Sequence, residues 1–159
     1  MATSNRLHLA QINIGRARYL PDDPRLADFM NALEFINGLA ERSSGFIWRF
    51  KDDSGNATST RVFDDPQVIV NMSVWENVES LEAYVWQTVH KRFYDRRGEW
   101  FEKLDGPHLA MWWIEPGHKP SLSEAKERLE YLETHGPTDF SFGWEEVPEA
   151  RLWKTKRCA

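Results

Sequence analysis

The chain predicts an α+β fold, a split βαβ sandwich extended by one helix and one strand at its C-terminal end. Three observations predict it. Residues 7–14 and 67–75 alternate apolar and polar side chains with a period of two, the signature of half-buried strands. Apolar residues recur at three- and four-residue steps from Leu26 to Leu39 and again from Leu81, the signature of amphipathic helices. The two periods succeed one another as strand, helix, strand, strand, helix, strand, which is the ferredoxin-like order.

The first strand, LHLAQINI, puts Leu7, Leu9, Gln11 and Asn13 on one face and His8, Ala10, Ile12 and Ile14 on the other. Gln11 and Asn13 share their face with leucines, so their amides must find partners or line something wet. Residues 15–24 form a turn-rich connection in which Asp23 suits a cap and Pro24 a first helical turn. Leu26, Phe29, Met30, Leu33, Ile36 and Leu39 then make one stripe, and Gly45 closes the helix. Phe46 to Phe50 is a short strand that Arg49 interrupts, and residues 51–60 (KDDSGNATST) form a polar, mobile loop.

In the next strand Val68, Val70, Met72 and Val74 oppose Ile69, Asn71, Ser73 and Trp75. Asn77 caps a helix read as one long rod to Phe101, with Glu79 and Glu82 near its positive end. Leu81, Val85 and Val89 form its core stripe, while Trp86, His90, Phe93, Arg97 and Trp100 share an adjoining face, so the helix touches two things. Gly98 loosens its last turn and residues 105–107 (DGP) end the region. His108 to Glu115 is apolar on both faces and reads as a strand covered twice. Ser121 and Glu124 have capping-box spacing ahead of the stripe Leu122, Ala125, Leu129 and Leu132. Phe140, Phe142 and Trp144 read as a last edge strand, and the tail from Pro148 is loosely held. The 159 residues suit one domain, 1–159.

Eight Trp and nine Phe call for an aromatic-lined pocket, a partner interface or a ring-filled core. A net charge of −5 leaves no electrostatic footprint for nucleic acid, and the basic run at 151–157 is too short to reverse that. The single Cys158 cannot form an internal disulfide. With no apolar run long enough to span a bilayer and no secretory pattern at the start, a cytoplasmic protein without a membrane partner is expected. His8, His90, His108, His118 and His135 are scattered without zinc-ligand spacing, so no metal is expected. Neither a phosphate-cradling glycine loop nor a GxSxG elbow is present.

The element order resembles the dimeric α+β barrel superfamily, which includes antibiotic-biosynthesis monooxygenases, haem-degrading monooxygenases and chlorite-dismutase-like proteins. Within it, LHLAQINI, SVWENVESLEAYVWQTVHKRFYDRRGEWF and LAMWWIEPGHKPSLSEAKERLEYLETHGPTDFSF look like a bacterial domain family of unknown function, a likeness covering nearly the whole chain. The resemblance implies helices on one sheet face, a second copy against the other, and hence a homodimer. It also implies a pocket between sheet and helices, lined by an Asn, a Trp and sometimes a helix-borne His. On this sequence Asn13, Trp86 and His90 match those catalytic types. Trp75, Phe93, Arg97, Arg49, Asn71 and Trp113 are the candidates to bind substrate, with Trp112 a further possible wall.

The activity so implied is cofactor-independent oxidation of a planar aromatic or polyketide-type small molecule. His90 would act as the base that generates a carbanion, and the amide and indole N–H groups would hold the oxyanion. One alternative is a non-catalytic ligand-binding or structural dimer, whose aromatics serve core and interface. Another is a haem protein with His90 as axial ligand, although the spacing from Trp86 to His90 departs from the haem-degrading branch.

Overall fold

Strand β1 (His8–Ala17) is the one against which most of the sheet pairs. The computed structural model describes residues 7–20, 22–51, 67–87, 95–103 and 108–146, the side chains of 86, 87 and 146 excepted. On one side β1 pairs antiparallel with β3 (Val68–Trp75), from Leu9 opposite Trp75 to Arg16 opposite Val68. Beyond β3 lies β2 (Phe46–Arg49), also antiparallel. The other side of β1 takes β5 (Leu109–Ile114) along residues 8–13 and the short β4 (Phe101–Glu102) at Arg16 and Ala17. The result is a five-stranded antiparallel sheet in an α+β chain.

Local signals set the helix starts. The Asp23 carboxylate accepts from the backbone N–H of Arg25 at 2.8 Å, and a 3-10 turn at Pro24–Leu26 leads into α1 (Ala27–Glu41). Asn77 Oδ1 accepts from Ser80 N–H at 2.8 Å at the start of α2 (Val78–Gln87). A single turn, α3 (Arg97–Trp100), precedes β4. Ser121 Oγ accepts from Glu124 N–H at 3.1 Å to open α4 (Leu122–His135).

The strand alternation read from the sequence sorts the side chains onto the two faces found. On one face Leu9, Trp75 and Met111 pack with Ala40 of α1 and with Val78, Leu81 and Tyr84 of α2. Farther along it, Ala17 and Ile69 pack with Leu26 and Trp100. On the opposite face Ala10, Ile12, Val70, Met72, Val74, Ala110, Trp112 and Ile114 meet Ala125 and Leu129 of α4. Strand β5 is thus covered twice.

Three expectations are corrected. Helices are not confined to one face, because the apolar stripe of α4 needs burial and takes the surface expected to be left bare for a second copy. The stretch to Phe101 is not one rod: the chain turns at Arg96, and Phe101 is extended (φ −124°, ψ 143°) and pairs with Ala17. Gly15 makes room for this, since a Cβ there would lie 2.7 Å from the Phe101 ring. The expected last strand shrinks to two isolated bridges, Met111 to Phe142 and Thr138 to Ser141, followed by a 3-10 turn at Trp144–Glu146. The loop at 52–60 and the tail from Pro148 lie outside the described residues. No helix among those described is long and apolar enough to cross a membrane.

Candidate functional site

In the middle of the face that carries α1 and α2, the apolar sequence of side chains gives way to a ladder of polar ones. Gln11 and Ser73 face each other across β1 and β3, and Asn13 faces Asn71 one step along. Gln11 Nε2 donates to Ser73 Oγ at 2.8 Å and to Asn71 Oδ1 at 2.9 Å, while Gln11 Oε1 accepts from Asn13 Nδ2 at 3.0 Å. Trp75 Nε1 donates to the same Ser73 Oγ at 2.8 Å. The ladder therefore runs from a buried indole outward. Gln11 and Ser73 are buried, Asn13 is half-buried and Asn71 is exposed.

Helix α1 roofs this strip. Leu26 near its start belongs to the cluster around Ala17 and Ile69, and Ala40 near its end to the cluster around Leu9 and Trp75. Leu33 and Asn37 lie between them along the same helix. Asn37 is only 7% exposed, yet its side chain makes no hydrogen bond with any described residue.

The expected site residues divide accordingly. Asn13 and Asn71 come together in the ladder, and Trp75 closes its inner end. Trp75 is fully buried, stacked on Tyr84 at 5.2 Å and edge-on to Phe46 at 5.5 Å, so it is a wall of the core with its N–H as the link. Arg49 is engaged elsewhere: its Nε donates to Glu41 Oε1 at 2.8 Å, and together with Lys51 it holds the Glu41 carboxyl below its usual range, Lys51 contributing most. Burial pushes the Tyr84 phenol well up, and its hydroxyl donates to the Ile36 carbonyl at 3.1 Å. Arg97 is exposed on α3.

Trp113 is not brought to the ladder. It stands 38% exposed at the β5 edge, 6.0 Å from Phe142, and Trp112 points the opposite way under α4. His90 and Phe93 lie outside the described residues, as does the side chain of Trp86. The haem alternative, which names His90 as ligand, lies with them. Among the described residues no three metal-ligating side chains come together.

Sequence reasoning singled out Gln11 as a strand amide but passed over Ser73 and Asn37. The signal was there: Ser73 sits between Asn71 and Trp75 on one strand face, and Asn37 falls on a leucine stripe. His108, exposed and just ahead of β5, was also passed over. Its packing against the protein lowers its pKa, and the Arg97 guanidinium nearby lowers it further, although solvent still reaches part of the residue.

A second feature lies on the far side of β5. A cleft of about 630 Å³ opens between Trp113, Glu115, His118, Glu127 and Arg128. At its floor Glu124 bridges two rings, with Oε1 2.7 Å from His118 Nε2 and Oε2 accepting from the buried indole of Trp112 at 2.9 Å. Glu124 therefore does not complete the capping box: its carboxylate ties the 115–121 turn and β5 to α4 instead.

Two solved structures are similar to this chain. One is a conserved protein from Methanosarcina mazei Go1, 13% identical, with a TM-score of 0.49 over 72% of this chain and 100% of that one. The other is a protein of unknown function from Nitrosomonas europaea, 13% identical, with a TM-score of 0.50 over 74% of this chain and 99% of that one. At that identity the second likeness concerns the fold alone. No curated protein matches the chain. Residues 8–158 match the model of a domain of unknown function, DUF3291, and the chain belongs to that family.

Proposed function

We propose that this protein binds a small planar organic molecule between the sheet and helices α1 and α2, in the manner of the cofactor-independent monooxygenases of the dimeric α+β barrel superfamily. The observation that carries the proposal is the amide and hydroxyl ladder from Trp75 to Asn13 and Asn71, set into an otherwise apolar sheet face. A sheet face meant only to pack against helices is served better by apolar side chains, since each buried amide must be matched or costs stability. A few convergent polar groups in an aromatic and aliphatic surround are what an organic ligand needs for orientation.

For the oxidation itself, a methylene of the ligand exchanges its two hydrogens for one oxygen atom of O₂, and the second oxygen atom leaves as water. The ladder's role is to hold a ligand oxygen as it gains negative charge during deprotonation, with Asn13 and Asn71 as the amides within reach. The base in this reading is His90, the residue to which the resemblance gives that role. A homodimer of the superfamily's kind would have to fit its second copy around α4, which packs on the far sheet face through Ala125 and Leu129.

The direct test is mass spectrometry of gently purified protein for a co-purifying small molecule, followed by oxygen uptake with oxindole as probe, a planar lactam with an acidic methylene. Uptake that is lost in His90→Ala and in Asn13→Ala, with oxindole still bound by the former, supports the enzyme. Binding without uptake supports a non-catalytic carrier. Absence of binding by wild type, with Asn13→Ala and Asn71→Ala indistinguishable from it, removes the site.

A further inference from the structure

The ladder's hydrogen bonds limit what the proposed site can accept, and the argument here rests on the site being a ligand site at all. A side-chain amide presents a carbonyl oxygen on one edge and two N–H donors on the other, and rotation by 180° exchanges them. As found, both Gln11 N–H groups are used, on Asn71 Oδ1 and Ser73 Oγ, and its oxygen takes Asn13 Nδ2. Turning one amide alone sets oxygen against oxygen or N–H against N–H. Turning all three together restores every contact: Gln11 oxygen then accepts from the Asn71 amide and the Ser73 hydroxyl, and Gln11 nitrogen donates to Asn13.

The two arrangements share one property. In each of them the edges of Asn13 and Asn71 that point away from Gln11 consist of one carbonyl oxygen and one NH₂. In the first the oxygen is on Asn13 and the NH₂ on Asn71, and in the second they are exchanged. Asn13 and Asn71 are directly opposed on neighbouring antiparallel strands, so the two groups stand side by side at the half-open end of the strip.

We infer that the site selects an uncharged ligand that offers one hydrogen-bond donor beside one acceptor, the edge of a carboxamide or lactam. A carboxylate offers acceptors only and leaves the ladder's carbonyl facing an anion. An amidinium offers donors only and leaves the NH₂ facing N–H groups. Because the three amides turn together, the ladder serves the ligand in either orientation, and the selection is for the donor and acceptor pair rather than for its order.

The experiment is a titration of the full chain with four probes of one shape: benzamide, benzoate, benzamidine and acetophenone. It is followed through the side-chain amide signals of Gln11, Asn13, Asn37 and Asn71 by nuclear magnetic resonance. Benzamide should bind about tenfold tighter than benzoate or benzamidine, the value of one lost hydrogen bond. Asn71→Asp replaces the ladder's variable edge by a permanent acceptor, so it should reverse the order and favour benzamidine. The exposed position of residue 71 lets the fold tolerate the change, which a thermal melt checks. Benzoate binding as tightly as benzamide, or an Asn71→Asp variant that keeps the wild-type order, overturns the selectivity alone. Silence of all four amides toward all four probes overturns the ligand site and the selectivity with it.

Discussion

Gln11 shows how much one side chain can organise. It donates twice and accepts once within a buried strip, so replacing it by Leu leaves the buried Ser73 hydroxyl without its strand partner and removes one partner each from Asn13 and Asn71. A loss of about 2 kcal/mol in urea unfolding is expected for Gln11→Leu, and a change near zero would show that the ladder contributes nothing to stability. Asn37 should behave in the opposite way. No described residue hydrogen-bonds its side chain, so Asn37→Leu should leave the free protein about as stable as wild type, while weakening retention of any co-purifying ligand. A destabilised Asn37→Leu with unchanged ligand retention would place that amide in the service of the fold.

His108 supplies the pH dependence at this scale. Its folded pKa is held below the ordinary 6.5, first by burial and then by Arg97, so the unfolded chain takes up the proton first as the pH falls. The corresponding stability is present above about pH 6.5 and is lost as the pH drops through the folded value. The melting temperature of wild type should therefore fall more steeply than that of His108→Gln between about pH 7 and 5. Parallel curves would remove His108 from the acid sensitivity.

At the scale of elements, turns and caps read correctly because their causes are local. Asp23, Asn77 and Ser121 each cap with their own side chains. Gly45 is the sharpest case. It has φ +83°, a conformation that favours glycine, and a Cβ would fall 2.0 Å from Ser80 Oγ in the first turn of α2. Gly45→Ala should thus cost about 2 kcal/mol or more, the sum of backbone strain and a displaced Ser80. A thermal melt within a degree of wild type would mean that the β2 turn relaxes freely. The long helix failed as one element for a non-local reason. Phe101 leaves it to lie over Gly15, and no periodicity within residues 77–101 encodes a glycine on another strand.

For the molecule as a whole, α4 decides what the far face of the sheet does. Leu129 is buried there among Ala10, Ile12, Ala110 and Ile114. Leu129→Asp should release α4 and lay that face bare, giving concentration-dependent self-association by light scattering while the far-ultraviolet spectrum keeps its strand signal. A variant with the same mass distribution as wild type at every concentration would mean that the face is protected by something besides α4.

Strand faces, helix starts, the helical stripes and the isolated amides of β1 were determined by the sequence itself, because each follows from a period of two or 3.6 and from contacts within a few residues. Which face α4 would cover, where the long helix breaks, and that Gln11 and Ser73 meet to join Trp75 with Asn13 and Asn71 were decided only by the tertiary structure. Those features depend on strands about sixty residues apart being set in one register, and register is fixed by the packing of the whole sheet rather than by any segment of it.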